Sequence, residues 1–246
     1  MNNLKISYLI TCHDETDIFN ELLTKISCAI NNSQICVESR DEIIILEDNK
    51  KPSLTFDTPT QKIIEKHMDN AGKDREWFVH HQRHSLDNNY GEHKNFGNSL
   101  CVGDYIFQID GDEIPSEYII GENLHTILES NVGTELIFVP RMNDFIGVTP
   151  QHAMQWGWKL SESPSLKHPL INFPDFQGRI YRRVPERIKW DRRLHEKIVG
   201  HDTFVLLPPD EDFALHHRKT IDKQIQTNLS YNKRFTLDEN KGHKVV

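Results

Sequence analysis

Asp104–Glu113, DYIFQIDGDE, contains the strongest indication of the fold in this chain. Its first half is apolar and strand-forming and lies between Gly103 and Gly111, which is typical of a central strand in a covered sheet. The strand ends in Asp110-Gly111-Asp112, where close carboxylates repel unless a hard divalent cation stabilises them. Asp and Gly are also the usual turn residues, so the motif alone leaves a surface turn open. The apolar strand before it favours a site, because open α/β sheets bind ligands at the carboxyl ends of their strands.

The composition is that of a soluble globular protein. The chain has 246 residues, 27% of them charged and 37% hydrophobic, enough for one large domain or two small ones. A net charge of −8 argues against a protein that coats nucleic acid, but it is compatible with a local basic patch. No apolar run reaches about 18 residues and no signal peptide is evident, so we expect a cytoplasmic protein without a transmembrane segment. The four cysteines lack C-x-x-C spacing and are interpreted as reduced thiols.

The first part of the chain has the pattern of a βαβ unit. Strands are predicted over Leu4–Ile10 and Asp41–Leu46, joined by a helix that Asp14 or Thr16 can cap. The apolar stripe of that helix consists of Ile18, Leu22, Ile26 and Ile30. Such a unit has parallel strands and a right-handed crossover. Both strands end in polar or acidic turns, so their ends are expected at the same edge of the sheet as Asp110.

The rest of the chain continues the alternation of helices and strands. Helices are predicted after Thr60, over 92–100, over 116–129 and from Lys219, and strands over 77–81, 134–139, 178–184 and 203–207. The last helix has an apolar stripe formed by Ile221, Ile225 and Leu229. Residues 140–176 are predicted to form a long irregular segment, of the kind that makes lids and binding loops. Residues 238–246 are expected to be a frayed tail.

Two nucleotide-binding fingerprints are missing. No G-x-G-x-x-G follows the first strand, which argues against a dinucleotide cofactor. No G-x-x-x-x-G-K-[ST] occurs, which argues against a phosphate-loop NTPase. A nucleotide at this sheet edge would therefore be held by side chains such as those of Asp14 and Asp48.

Two further stretches are candidate binding elements. Trp156 and Trp158 flank Gly157 and can stack on a sugar or a base, although core packing also accounts for such rings. Residues 178–197 hold eight basic residues against three acidic ones, which makes them the clearest basic patch. That patch can hold a diphosphate or an anionic acceptor such as nucleic acid. A solvated strand edge is the alternative.

Several segments resemble, in order, the GT-A glycosyltransferases of the family 2 type, including phage-encoded ones. The segments are LKISYLITCHDE, DEIIILEDN, YGEHKNFGNSLCVGDYIFQIDGDE, KWDRRLHEKI and FALHH, and they cover most of residues 1–217. The third is the most specific. The resemblance implies an α/β GT-A (Rossmann-like) fold with a mixed, mostly parallel sheet and helices on both faces. It also implies a glycosyltransferase domain over 1–218, with nucleotide-binding half 1–115 and acceptor-binding half 116–218, before a C-terminal helix and tail over 219–246.

The resemblance implies site residues as well. Asp110 and Asp112 match the D-x-D that binds Mn²⁺ or Mg²⁺, with Asp112 the better ligand, and His216 or His217 would complete the metal site. The residues expected to bind the nucleotide sugar are Thr11, His13, Asp14, Glu15, Asp48, Lys94, Asn95, Asp110, Gly111 and Arg179. The residues expected to bind the acceptor are Trp156, Trp158 and His195.

The catalytic base departs from the common family pattern, which has an acidic pair at the start of a helix. The segment Trp190–Glu196 instead resembles a subgroup with a W…HE pattern. Glu196 is therefore the expected base. Asp191 and the acidic turn Asp210–Asp212 are its rivals.

The implied activity is metal-dependent transfer of a sugar, with inversion, from a nucleoside diphosphate sugar to an acceptor hydroxyl. A UDP-sugar is the expected donor, and a saccharide or a hydroxymethylated DNA base is the expected acceptor, with lipid-linked and protein acceptors left open. One alternative is a nucleotidyltransferase that makes the sugar nucleotide, although Thr11–Glu15 lacks the glycine-rich basic loop of such enzymes. Another is a non-catalytic module that binds nucleotide sugars. The sequence determines neither the sugar nor the oligomeric state.

Overall fold

Alternating strands and helices make up the part of the chain that the computed structural model describes, residues 4–32, 41–48, 58–71, 78–163, 165–166, 168–236 and 238–240. The helices are α1 (Asp17–Asn32), α2 (Pro59–Ala71), α3 (Tyr90–Leu100), α4 (Gly121–Ser130), α5 (Pro150–Trp156) and α6 (Ile221–Arg234). The first seven strands are β1 (Ile6–Cys12), β2 (Glu42–Asp48), β3 (Phe78–His84), β4 (Tyr105–Asp110), β5 (Glu113–Pro115), β6 (Leu136–Val139) and β7 (Arg141–Ile146). The others are β8 (Leu160–Ser161), β9 (Leu170–Ile171), β10 (Gln177–Arg182), β11 (Lys189–Asp191), β12 (Lys197–Val199), β13 (Phe204–Leu206) and β14 (Leu215–Thr220).

The main sheet of the described residues has seven strands in the order β13-β6-β10-β4-β1-β2-β3. β4, β1, β2 and β3 are mutually parallel, whereas β10 runs antiparallel to both β4 and β6. The parallel pairing of β1 with β2 confirms the predicted βαβ unit. Because these parallel strands share a direction, their carboxyl ends lie at one edge of the sheet.

Helices cover both faces of this sheet. Buried side chains of α1, α2 and α4, such as Leu22, Ile64 and Leu124, share one apolar cluster with the sheet. On the opposite face Phe96 and Leu100 of α3 pack against a second cluster. β4 is therefore buried on both faces, as its continuous apolar run predicted.

Residues 140–176 contain regular structure, so the prediction of a long irregular segment was wrong. β7 pairs in parallel with β14 in a second sheet, of order β5-β14-β7-β9-β8 in the described residues. β7 buries the polar side chains of Asn143 and Asp144, which interrupts the apolar alternation by which a strand is recognised. α5 begins at a capping box formed by Thr149 and His152.

The predicted helix over 116–129 is divided in two. A 3₁₀ turn covers Glu117–Ile119, and α4 starts only at Gly121. Gly121 has φ of +57°, a left-handed conformation that interrupts a continuous helix and that glycine adopts at little cost. Its amide donates a hydrogen bond of 2.9 Å to the Tyr8 hydroxyl, which anchors this break to the sheet.

α6 does not pack through the predicted apolar stripe. Ile221 is buried, but Leu229 is 40% exposed, and the other buried side chains of α6 are Gln224 and Asn228. Gln224 donates a hydrogen bond of 2.7 Å to Asn228 Oδ1. The two buried amides therefore satisfy part of each other's hydrogen-bonding capacity. The hairpin of β11 and β12 was also not predicted, since each strand has only three residues.

Other expectations from the sequence fall partly outside the described residues. Cys12, Cys28 and Cys101 are free thiols, whereas Cys36 lies outside the described residues. Trp77, the first residue of the predicted third strand, also lies outside them, as do 241–246 of the predicted tail. No helix in the described ranges combines the length and the apolarity needed to cross a membrane.

Candidate active site

A cavity of about 1220 Å³ lies where β1, β2 and β4 end. Thr11, Asp48 and Asp110 line it from these three strands, so the predicted convergence of the strand ends is observed. Residues of the hairpin β11–β12, of β14 and of α6 line its other walls. The volume exceeds the roughly 300–1,000 Å³ typical of small-molecule sites, so it leaves room for two substrates.

Asp110 is held by cations rather than left open. Its carboxylate accepts hydrogen bonds from Arg179 Nη2 at 2.7 Å and Thr11 Oγ1 at 3.0 Å, and Lys94 Nζ lies 3.1 Å away. Burial raises the pKa of Asp110, but Arg179 and Lys94 outweigh it and keep that pKa well below its usual value. Arg179 also donates to Glu113 at 2.7 Å. Asp110 is therefore ionised and fixes two buried cations at the strand end.

Asp112 faces His217 across the cavity wall. His217 Nδ1 lies 2.8 Å from Asn143 Oδ1, an acceptor, so Nδ1 carries the ring proton in that bond. His217 Nε2 then presents a lone pair to Asp112 Oδ2 at 3.3 Å. Burial lowers the pKa of His217, which favours this neutral form although Asp112 opposes the shift. Two acceptors that face each other at this distance are stabilised by a cation between them.

The two candidate histidines point in opposite directions. His217 pairs with Glu113 and Asn143 across β14 and lines the cavity. His216 is the preceding residue of the same strand, so its side chain leaves the other face and is not among the cavity residues. The described ranges contain no group of three or more His, Cys, Asp or Glu side chains placed to hold a metal. Asp112 and His217 fit a metal that takes its remaining ligands from phosphate and water, as Mg²⁺ commonly does.

Glu196 lines the cavity close to Asp110. Lys94 Nζ donates a hydrogen bond of 2.6 Å to its carboxylate, so Lys94 joins Glu196 to Asp110. Glu196 follows two residues with positive φ, Arg192 at 76° and His195 at 53°. Non-glycine residues rarely adopt this conformation, which occurs in tight turns and is enriched at functional sites.

The segment before Glu196 is supported by α3. Asn95 donates a hydrogen bond of 2.9 Å to the Trp190 carbonyl and accepts one of 2.8 Å from the Trp190 amide. Tyr90 N–H donates to Arg193 O at 2.9 Å. A Cβ on Gly91 would lie 2.5 Å from Arg192 O, so only glycine permits this approach. Asn95, predicted to contact the nucleotide, thus positions the β11–β12 hairpin and does not line the cavity.

The acids predicted as rivals of Glu196 lie elsewhere. Asp191 is exposed on β11, Asp210 caps a 3₁₀ turn, and Glu211 accepts a hydrogen bond from Ser163. Asp212 is also exposed, and none of these four side chains lines the cavity.

Of the remaining residues predicted to bind the nucleotide, all but Asp14 line the cavity. Asp48 Oδ1 accepts a hydrogen bond of 2.9 Å from Leu86 N–H, and His13 Nδ1 lies 3.7 Å from Asp48 Oδ2. Glu15 accepts one of 2.7 Å from the His13 amide. Asp14 is exposed and is not a cavity residue. Gly111 lines the cavity between the two aspartates.

Two of the three residues predicted to bind the acceptor line the cavity, and the third packs behind one of them. Trp158 and His195 line the cavity. Trp156 lies behind Trp158, with ring centroids 4.5 Å apart, and does not line the cavity. Trp158 also packs edge-on against Phe145, which contacts His217. The aromatic pair thus connects the predicted acceptor wall to the Asp112–His217 pair.

Most of the basic stretch 178–197 is engaged with the protein itself. Arg179, Arg187 and Arg193 form ion pairs with acids outside the stretch, and Arg183 donates to Gly103 O at 2.7 Å. The partners of these arginines come from distant parts of the chain, so no local pattern indicates them. The stretch is therefore less basic towards solvent than its composition suggests.

Lys219 and one face of α6 also line the cavity, which the sequence does not predict. Lys219 lies on the same face of β14 as His217, with its ammonium 4.7 Å from the centroid of Phe145. Burial lowers the pKa of Lys219 to about 8, although Asp112 opposes this shift. Because Lys, Gln and Asn are ordinary surface residues, no pattern in the sequence distinguishes them from a solvated helix face.

Comparison with known proteins gives structural matches. No family model matches the chain, and no curated protein matches it in sequence. The structure of S. aureus TarS is similar over 92% of this chain and 38% of TarS, at 12% identity and a TM-score of 0.54. TarS 1-349 with UDP matches over 92% of this chain and 63% of its own, at 12% identity and a TM-score of 0.51. TarS 1-349 with UDP-GlcNAc matches over 88% and 59%, at 13% identity and a TM-score of 0.50.

These similarities establish the fold. The predicted GT-A α/β architecture, with a mixed and mostly parallel sheet and helices on both faces, is confirmed. The chain spans less than two thirds of the length of each of these TarS structures.

Proposed function

We propose that this protein is a metal-dependent, inverting glycosyltransferase that moves a sugar from a nucleoside diphosphate sugar to an acceptor hydroxyl. The observation that carries the proposal is that the Asp112–His217 pair and the Glu196–Lys94 pair line one cavity at the strand ends. The fold shared with TarS, solved with UDP-GlcNAc, supports a nucleotide sugar as donor. A UDP-sugar is therefore the first donor to test, with transfer of a hexose or pentose.

The donor nucleoside would lie at the ends of β1 and β2. Thr11, His13, Glu15 and Asp48 supply polar groups there, next to the parallel strand β4. His93 lines the same end, and burial with the neighbouring His84 lowers the pKa of His93 to about 4. His93 is thus uncharged at neutral pH and does not supply a cation to the phosphates.

Asp112 and His217 would hold a divalent cation, Mn²⁺ or Mg²⁺. The lone pair of His217 Nε2 and the Asp112 carboxylate face each other at 3.3 Å, which suits a cation between them. When bound, a cation of this kind neutralises charge that develops on a departing diphosphate. Asn143 orients His217 through the other ring nitrogen, which is the usual support for a metal-binding imidazole.

Glu196 would act as the general base. The acceptor oxygen forms a bond to the anomeric carbon from the face opposite the leaving group, and the bond from that carbon to the phosphate oxygen breaks. Glu196 takes the proton of the acceptor hydroxyl, and the nucleoside diphosphate leaves with the bonding electrons. One displacement gives inversion without a covalent intermediate. Lys94 fixes Glu196 at one carboxylate oxygen, at 2.6 Å.

An uncharged saccharide suits the acceptor side better than DNA does. Trp158 and His195 line that side and can stack on or hydrogen-bond to a sugar. The basic stretch 178–197 was the feature that favoured a nucleic-acid acceptor. Within it, Arg179, Arg187 and Arg193 form ion pairs with acids of the protein. The net charge of −8 also opposes a DNA acceptor.

A panel of nucleotide sugars tests the proposed donor class. We expect one donor, first among them a UDP-sugar, to raise the melting temperature of the protein in Mn²⁺ and to do so less in EDTA. The reason is that a ligand bound only by the folded state stabilises that state, and a tighter ligand stabilises it more. Thermal shift measured across UDP-, GDP- and dTDP-sugars checks this. The absence of any metal-dependent shift across the panel would refute the donor class.

A further inference from the structure

The cations that line the cavity form two groups. Lys94 pairs with Glu196, Arg141 with Asp175 and Arg179 with Asp110, and all three carboxylates line the cavity. In the second group are Lys197, Lys219, Lys223 and Arg234, for which the described residues provide no carboxylate within ion-pair distance. Three of these four belong to β14 and α6. The charge of the cavity that is available to a bound anion is therefore concentrated on one wall.

Lys219 and Lys223 lie at the end of this wall nearest Asp112. Lys219 follows His217 by two residues, so both side chains leave the same face of β14. Lys223 lies in the first turn of α6, where its amide donates a hydrogen bond of 3.2 Å to the N-cap Thr220. Both lysines are cavity residues. Two unpaired cations that repel each other are stabilised by an anion with two charged groups.

The rest of α6 extends from these lysines towards the nucleoside end. Gln224, Thr227, Tyr231 and Arg234 line the cavity at spacings of three or four residues, which is one face of a helix. Tyr231 packs against Tyr90 with ring centroids 6.2 Å apart. Arg234 Nε donates a hydrogen bond of 2.7 Å to Asn88 Oδ1, two residues after Leu86, the amide partner of Asp48. α6 therefore spans the distance between Asp112 and the ends of β2 and β3.

We infer that Lys219 and Lys223 bind the diphosphate of the donor, and that α6 is a wall of the donor site rather than a surface helix. The identity of the anion as a nucleoside diphosphate rests on the proposed function. Lys94, Arg141 and Arg179 are already engaged by carboxylates of the protein. The negative charge that a diphosphate brings is therefore compensated from β14 and α6.

Binding without metal tests this inference, because a divalent cation would mask the contribution of the lysines. UDP, uridine and inorganic pyrophosphate are titrated calorimetrically in EDTA into wild type, Lys219→Met, Lys223→Met and Lys233→Met. Methionine keeps the unbranched stem of lysine and removes the charge. Loss of a charge-assisted bond is expected to weaken UDP and pyrophosphate binding by about 10-fold for each cavity lysine. Uridine binding should be unchanged in every variant.

Lys233→Met is the matched control, because Lys233 is an exposed residue of α6 outside the cavity and should bind like wild type. Equal binding of UDP and pyrophosphate by wild type and both cavity variants would overturn the inference. An equal loss in Lys233→Met would overturn it too, since the effect would then be general. Lys223 is exposed, so its variant is expected to fold even if Lys219→Met does not. A wild type that binds pyrophosphate at these lysines but no nucleotide sugar would instead reject the proposed function.

Discussion

Asp112→Asn is expected to lower the rate of sugar transfer by about 100-fold or more, the scale on which loss of one group that stabilises developing charge acts. The substitution keeps the shape of the side chain and removes the charge that faces His217 Nε2. An amide nitrogen can donate to that imidazole, so the fold should survive while the affinity for a cation falls. Transfer rates measured over a range of Mn²⁺ concentrations should show both the loss and a weaker metal response.

Asp69→Asn is a suitable control for this experiment. Asp69 is an exposed acid of α2 that does not line the cavity, and its substitution removes the same charge from the protein. We expect it to transfer sugar at the wild-type rate. Asp112→Asn with wild-type activity and wild-type Mn²⁺ dependence would contradict the metal role.

Glu196→Gln is expected to abolish most of the transfer and to leave donor binding intact. General-base groups typically contribute about 100-fold to 10,000-fold to the rate. Glutamine cannot take the acceptor proton, but its carbonyl oxygen can still accept the hydrogen bond from Lys94. The hairpin should therefore keep its place, and the donor should bind as before. Single-turnover rates and donor titrations on the same preparation separate the two effects.

Asp191→Asn is the matched control for the base. Asp191 is the nearest rival in sequence, but it is exposed on β11 and does not line the cavity. Its variant is expected to be fully active. If Asp191→Asn were inactive and Glu196→Gln active, the base would have to be reassigned and the hairpin placed differently.

The sequence predicts the parallel part of the sheet well because the signal there is local. Residues 104–113 carry an apolar run and an acidic turn that need no knowledge of the rest of the chain. β7 was missed because it buries Asn143 and Asp144, which satisfy their polar groups through β14 and its surroundings. Such partners are far away in sequence, so the strand looks polar until the second sheet is known.

In the candidate site, too, features within one segment are predicted from the sequence, whereas contacts between distant segments are not. The acidic turn is visible in the sequence, but the choice between His216 and His217 follows from the alternation of side chains along β14. The basic stretch looks available for an anion until its ion pairs with Glu113, Glu135 and Glu239 are seen. α6 was predicted to pack through apolar residues, whereas its polar face lines the cavity. A site wall of this kind has the composition of an ordinary solvated surface.

Release of the nucleoside diphosphate is the direct test of whether the cavity transfers a sugar from a nucleoside diphosphate sugar. Wild type is incubated with each nucleotide sugar of the panel, with Mn²⁺ or EDTA and with candidate acceptors, and the released diphosphate is measured. We expect release from at least one donor that depends on Mn²⁺, increases with an acceptor, and is lost in Asp112→Asn and Glu196→Gln. Binding of a nucleotide sugar without release under any condition would contradict it and would identify a non-catalytic binding module.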